Sequence, residues 1–255
     1  TPVVVNSSTD SSSNRNRLAY GNGVFVAIFT AGNVANMKAG TVSGNSITFG
    51  SALTPSNSSI NSNQTNVSYN PNANKFIFAK NVNNSTSVDL WIVSNSGSTL
   101  SVASSSADAT ITNGGNDYRV WTNIYDPDTN KTIIGVDNYV GSNYGKLYPV
   151  TISGSSLSVS STPYSMTGGA YEDYSNELIY DSTNNKWLLL QCNETSNYIN
   201  GTVLTASGNT FTAGTKTVLS SDPARYLGSY YDTVRENFII GYQYYTKGYY
   251  GKLGK

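Results

Sequence analysis

The chain has 255 residues, and its 15 basic and 15 acidic side chains give a formal net charge of zero. With only 12% charged residues it lacks the basic surface that binds phosphates, so no nucleic-acid partner is expected. Histidine is absent, which removes the commonest general base and neutral metal ligand. The 20 Tyr, 7 Phe and 3 Trp argue for a folded chain, because disordered chains lack aromatic residues.

Patterning favours strands over helices. Ser, Thr, Asn and Gly dominate, no sustained helical period is present, and no apolar run reaches the ~20 residues of a membrane-spanning helix. Membrane insertion is therefore not expected. The single cysteine, Cys192, ends the apolar run 187–192 and is predicted to be a buried thiol in a strand.

The main signal is a repeat in which a strand ends in tyrosine, an Asx-rich turn follows, and a second apolar strand begins. Five copies occur, at residues 18–26, 67–78, 123–134, 178–189 and 229–240. Their anchor tyrosines are Tyr20, Tyr69, Tyr125, Tyr180 and Tyr231. The intervals of 49, 56, 55 and 51 residues match the length of a four-stranded propeller blade.

A second hairpin follows the anchors of the first four copies, at residues 40–50, 91–100, 150–157 and 202–211. Each contains a glycine that supplies the positive φ of a tight turn. The two hairpins together predict four strands per unit.

The sequence thus predicts an all-β fold, a five-bladed β-propeller of four-stranded blades in a single domain, 1–255. The units are approximately 17–66, 67–115, 116–170, 171–222, and 223–255 together with 1–8. The last unit lacks a fourth strand. Residues 1–5 align with the segments that begin at the Thr-Pro pairs 54–55 and 162–163, so the N-terminal strand is predicted to close the last blade. A solenoid or an open array is the alternative.

The carboxylates do not form a catalytic pattern. The aspartates of the repeat turn, such as Asp126, Asp181 and Asp232, are replaced in other copies by Asn70 and Gly21. This exchange is typical of a residue that hydrogen-bonds the turn backbone. We predict no catalytic residue. If an activity appeared, the residues to test first would be those between the units, Asp117, Glu172 and Asp173.

Metal and cofactor motifs are also missing. Residues 126–130 resemble the start of a calcium loop, but Lys131 follows where such a loop continues with glycine. The matching turn 70–74 carries no charge, so a hairpin turn is favoured over calcium. We predict no metal site and no cofactor.

Tyrosines outside the repeat phase are the candidate ligand-binding residues. Exposed Tyr beside Asn and Ser provides rigid contact area and adaptable hydrogen bonds. The candidates are Tyr242, Tyr244, Tyr245, Tyr249, Tyr250, Tyr171 and Tyr174. Packing of these rings between blades is the alternative that the sequence leaves open.

Residues 40–51, Gly-Thr-Val-Ser-Gly-Asn-Ser-Ile-Thr-Phe-Gly-Ser, follow a turn of the repeat type. The run resembles a repeat of propeller proteins from marine phages and environmental microbes, which are virion-associated, tail-fibre-like or surface proteins. The resemblance implies a role in display or attachment and assigns no site residues.

The expected function is therefore a non-enzymatic extracellular or virion-surface module, an adhesin for glycans or surface proteins. One alternative is a structural subunit of a virion appendage or extracellular filament that contacts neighbouring subunits, whose signature would be an exposed apolar strip. A propeller glycoside hydrolase is the other, and it requires a cluster of carboxylates. A free-standing lectin would show one sugar pocket per blade.

Overall fold

A computed structural model describes residues 17–58, 65–81, 87–112, 118–138, 145–167, 176–192, 198–221, 224–244 and 250–254. Their regular structure is entirely β, as predicted, in 22 strands that form five antiparallel sheets. Among these residues there is no helix long and apolar enough to cross a membrane.

Sheets 1 and 2 come from the first two repeats. Sheet 1 has the strand order β1-β2-β3-β4, and sheet 2 has the order β5-β6-β7-β8 with β9 also paired to β7. The strands are β1 (Arg17–Gly21), β2 (Val24–Ala31), β3 (Val34–Ser43), β4 (Ser46–Phe49), β5 (Thr65–Asn70), β6 (Lys75–Asn81), β7 (Ser87–Ser96), β8 (Thr99–Val102) and β9 (Ala109–Thr112).

Sheets 3 and 4 repeat the order of sheet 2, with β14 on β12 and β19 on β17, and sheet 5 has the order β20-β21-β22. The strands are β10 (Tyr118–Asp126), β11 (Lys131–Asn138), β12 (Lys146–Ser153), β13 (Ser156–Val159), β14 (Tyr164–Ser165), β15 (Asn176–Asp181), β16 (Lys186–Cys192), β17 (Ile199–Ser207), β18 (Thr210–Ala213), β19 (Thr217–Ser220), β20 (Ala224–Asp232), β21 (Asn237–Tyr244) and β22 (Tyr250–Gly254).

Sheets 2 to 4 each have five strands, one more than the four predicted for each unit. The third strand is long, and two short segments share its outer edge. In sheet 2, β8 pairs with Val93–Ser96 of β7 and β9 pairs with Ser87–Leu90. Sheet 1 has only a single bridge, Met37 to Leu53, in the corresponding place.

The repeat turns explain why tyrosine and asparagine recur. Asn74, Asn130 and Asn185 have φ near +53°, a conformation that asparagine tolerates better than most residues. Each accepts a hydrogen bond at its Oδ1 from the hydroxyl of its own anchor tyrosine, at 2.7 Å for Tyr69 and 3.2 Å for Tyr180. Local sequence thus specifies the hairpin.

The chain forms two compact units: unit 1 comprises 1–136 and 149–160, and unit 2 comprises 137–148 and 161–255. In unit 1 an apolar core lies between sheets 1 and 2. Its largest side chains are Phe76, Phe78 and Trp91, which pack with Val26 and Met37.

Unit 1 also contains a polar contact between sheets 2 and 3. Asn123 donates from Nδ2 to the Ile77 carbonyl at 2.9 Å, and its Oδ1 accepts from the Ser68 hydroxyl. These side chains are buried and hydrogen-bonded to each other. The first strands of the two sheets are therefore aligned by hydrogen bonds as well as by apolar packing.

The core of unit 2 lies between sheets 4 and 5. It includes Leu188, Leu190, Ile199 and Ile240, together with Cys192, a free cysteine that is 2% exposed. The predicted buried thiol is thus confirmed.

Anchor tyrosines join consecutive sheets. The Tyr69 ring lies directly over Gly21 of sheet 1, the Tyr125 hydroxyl accepts from Asn72 Nδ2 at 2.9 Å, and the Tyr231 hydroxyl donates to Thr183 Oγ1 at 2.9 Å. Tyr20 differs, because its side chain is 62% exposed.

Candidate functional site

The three candidate tyrosines that the structure describes lie at one end of sheet 5 in unit 2, which we call, together with the adjoining end of sheet 4, the loop end. Here β15, β17, β20 and β22 begin and β16 and β21 end. Tyr242 and Tyr244 lie in the last residues of β21, and Tyr250 begins β22. The predicted residues Tyr171, Tyr174, Tyr245 and Tyr249 lie outside the described residues.

Tyr242 has features of both interpretations of the tyrosines outside the repeat phase, which were packing and ligand binding. Its half-buried ring packs against the core of unit 2, while its hydroxyl lies 3.5 Å from Ser220 Oγ. Tyr244 and Tyr250 are cross-strand partners in the hairpin that joins β21 to β22. The structure thus brings three of the seven candidates to the same strand ends.

Sequence reasoning missed two other groups at the loop end. Tyr198, 37% exposed, immediately precedes β17, whose first residue, Ile199, pairs with Ser220. The second group is a row of three amides across sheet 4. Strand pairing places Asn176 opposite Gln191 and Gln191 opposite Asn200. Their signal was available, since polar residues stood at the ends of strands predicted to be buried.

The amide row is buried and uncharged. Asn176, Gln191 and Asn200 are 5%, 2% and 7% exposed. Asn200 donates from Nδ2 to the Tyr198 carbonyl at 3.3 Å. Asn176 Oδ1 and Gln191 Nε2 have no hydrogen-bond partner. The row offers an acceptor and a donor but no group that transfers protons near neutral pH.

The carboxylate of Glu177, which follows Asn176 in β15, points to the opposite face of the sheet. No group of three His, Cys, Asp or Glu side chains among the described residues is arranged to hold a metal ion. Asp117, Glu172 and Asp173, the first suspects for an activity, lie outside the described part of the chain.

The repeat-turn aspartates end the first strands of their own sheets and accept hydrogen bonds from their own turns. Asp126 accepts from the Thr129 hydroxyl at 2.5 Å and from the Asp128 amide at 3.2 Å, so the residue first considered for calcium caps its hairpin. Burial raises the pKa of Asp126, and the hydrogen bond from Thr129 opposes that shift. Asp181 accepts from the amides of Thr183 and Asn184.

Sheet 2 has a fully buried amine. Lys80 donates from Nζ to the carbonyls of Ser58 at 2.7 Å and Ser56 at 3.4 Å. Burial lowers the pKa of Lys80, and the nearby charge of Asp89 opposes the shift. The ammonium ties the segment that follows sheet 1 to sheet 2, because two carbonyls of that segment accept hydrogen bonds from it.

Comparisons with known proteins define the fold class. No protein-family model and no curated protein matches the sequence. The chain is similar over 96% of its length to two solved structures. One is a protein from Lactobacillus plantarum, with 11% identity, a TM-score of 0.63 and 71% of that chain covered.

The other is a candidate 6-phosphogluconolactonase from Bacteroides fragilis, with 11% identity, a TM-score of 0.64 and 68% of that chain covered. Four sheets of four or five antiparallel strands, together with these similarities, define a propeller-type all-β protein. At 11% identity the similarity concerns the fold alone.

Proposed function

We propose that this protein is a non-enzymatic attachment module that binds glycans through the loop end of sheets 4 and 5. The observation that carries the proposal is the convergence of tyrosines and neutral amides at those strand ends. Aromatic rings with amide donors and acceptors suit the apolar faces and hydroxyls of a sugar. A partner protein is the second kind of ligand that such a surface fits.

We further propose that the five sheets are five blades and that residues 1–5 complete the last one. Sheet 5 has three described strands whereas the other sheets have four or five, so at least one strand position remains for the N-terminal segment. That segment lies outside the described residues. Its pairing would cover an open strand edge, as closed propellers do.

The resemblance of residues 40–51 to repeats of phage and environmental propeller proteins supports a place on a virion or cell surface. A polar, weakly charged and histidine-free composition suits such an exposed setting. We propose an extracellular location on this basis.

The test is a broad glycan array probed with the purified protein, once with calcium and once with chelator. We expect binding to a defined sugar family, and the same binding in the presence of chelator. The reason is that the Asp126 carboxylate already accepts hydrogen bonds from its own turn. A blank array from folded protein would contradict glycan attachment, and chelator sensitivity would return calcium to the Asp126 turn.

Tyr198→Ala tests the location of the site. Loss of an exposed aromatic contact should weaken binding by about fivefold or more. The matched control is Tyr230→Ala, because Tyr230 is 64% exposed and lies in the half of β20 nearest the repeat turn. Equal losses in both variants would place the site elsewhere.

An assembly subunit is the second candidate, and a specific observation favours it. Leu18, Tyr20, Val42 and Ile47 lie on one face of sheet 1 and are 63%, 62%, 51% and 41% exposed. This is the exposed apolar strip that the alternative requires. Contiguous exposed apolar surface is typical of protein interfaces.

A further inference from the structure

The amide row of sheet 4 contains two buried polar atoms that the protein does not satisfy. Asn176 Oδ1 is an acceptor and Gln191 Nε2 is a donor, on side chains that are at least 95% buried. Directly paired residues of a sheet lie on one face with Cβ atoms about 5 Å apart. The two side chains are therefore adjacent on one face of the sheet, and burying their polar atoms without partners is costly.

In sheet 2 the residue that corresponds to Gln191 does have hydrogen-bond partners. Thr65 and Asn176 each lie four residues before their anchor tyrosine, and strand pairing places Lys80 opposite Thr65 as it places Gln191 opposite Asn176. In sheet 2 the carbonyls of Ser56 and Ser58 accept hydrogen bonds from the Lys80 ammonium. In sheet 4 the corresponding amides are left without a partner.

We propose that the row Asn176–Gln191–Asn200 is the hydroxyl-recognising subsite of the glycan site, an inference that rests on the proposed function. One hydroxyl can donate to Asn176 Oδ1 and accept from Gln191 Nε2 at the same time. Neutral amides can hydrogen-bond to a hydroxyl and need no charge on the ligand. Asn176 begins β15 and Asn200 is the second residue of β17, so the row is at the margin of the sheet, beside exposed Tyr198.

A water molecule presents the same chemistry, and the test separates the two sources. Wild-type protein and Gln191→Met are compared by saturation-transfer-difference NMR with methyl glycosides of glucose, galactose, mannose and N-acetylglucosamine. Met keeps the length of Gln and removes its amide. We expect at least one glycoside to bind wild type and to bind Gln191→Met about tenfold or more weakly.

Thermal unfolding without sugar provides the second readout. Because Gln191 Nε2 lacks a partner in the free protein, Gln191→Met should have an unchanged or higher Tm. Asn176→Leu, which removes the acceptor, should reproduce both results. Lys80→Met is the control, because Lys80 has the strand position in sheet 2 that Gln191 has in sheet 4. This variant should bind sugar as wild type does, because the carbonyls of Ser56 and Ser58 already bind the Lys80 side chain.

The outcomes are distinct. Unchanged sugar affinity in Gln191→Met would overturn the subsite and leave the glycan function standing. A lower Tm for Gln191→Met, together with no glycoside bound by wild type, would mean that the row holds an ordered water only. That result would overturn the proposed subsite. A blank result on both the glycan array and the NMR panel would overturn the subsite and the proposed function together.

Discussion

The Asx residue of the repeat turn performs one task with different chemistry in each copy. Asn70 Oδ1 accepts a hydrogen bond from the Ala73 amide at 3.0 Å. Asp126 and Asp181 likewise accept hydrogen bonds from backbone amides of their own turns. Their ionisation differs. Burial dominates at Asp126 and raises its pKa. At Asp181 burial also acts to raise the pKa, but hydrogen bonds from the Asn184 side chain and two backbone amides, together with the nearby Tyr231 hydroxyl, lower it overall.

These opposite shifts predict opposite effects of pH on stability. An acid whose folded pKa is raised destabilises the fold as pH rises above its ordinary value of 3.8, because the folded state holds the proton longer. Asp126→Asn should therefore remove a decline in stability just above pH 3.8. Asp181 stabilises above its unfolded pKa and loses that effect as pH falls through its lowered folded pKa. Asp181→Asn should therefore lower stability at neutral pH.

Urea unfolding of wild type and both variants at several pH values measures this difference. Asn70 acts as a natural control, because a neutral amide already caps the same turn in sheet 2. Parallel pH profiles for the two variants would show that the environments of Asp126 and Asp181 do not differ as described.

At the scale of elements, the anchor tyrosine Tyr69 joins sheet 2 to sheet 1, because its ring covers the end of β1 at Gly21. A Cβ at Gly21 would come within 2.0 Å of the Tyr69 ring, so only glycine permits this approach. Gly21→Ala should displace the ring and lower the free energy of unfolding by about 1–3 kcal/mol. Chemical denaturation of the variant measures the loss.

Gly228→Ala is the matched control, because Gly228 is also in the first strand of its sheet and a Cβ there meets nothing within 4 Å. Its stability should stay within about 0.5 kcal/mol of wild type. A similar loss in both variants would attribute the effect to strand glycines in general and not to the Tyr69 contact.

The elements were predictable where local chemistry dictates them. Tyrosine, Asx and asparagine at fixed offsets indicated the repeat hairpins, and the Ser-Gly turns indicated the second ones. The short strands β9, β14 and β19 were not predicted, because two to four residues show no usable period. They become strands only because β7, β12 and β17 extend beyond their first edge partner.

At the scale of the whole molecule, the apolar strip of sheet 1 sets a prediction about association. Tyr20 pairs with Phe25 at 4.6 Å, as Tyr69 does with Phe76 at 4.9 Å, but Tyr20 remains 62% exposed. If the strip joins subunits, sedimentation velocity should show oligomers that grow with concentration. The double variant Leu18→Ser/Tyr20→Ser should reduce them, because it removes two exposed apolar side chains.

Val234→Ser is the control, since Val234 is 88% exposed in a repeat turn and is not one of the strip residues. It should associate as wild type does. A monomer at every concentration would leave attachment as the remaining candidate function.

The sequence by itself determined the all-β class, the period of the repeat, the hairpin turns and the burial of Cys192, because each depends on residues close together in the chain. The amide row and the exposure of Tyr20 were decided only by the tertiary structure. Asn176, Gln191 and Asn200 come from three strands, and their alignment follows from strand register. Tyr20 has the sequence of a packed anchor, and its exposure depends on whether another sheet covers it. Such properties arise from pairing and packing between distant segments, which local sequence does not encode.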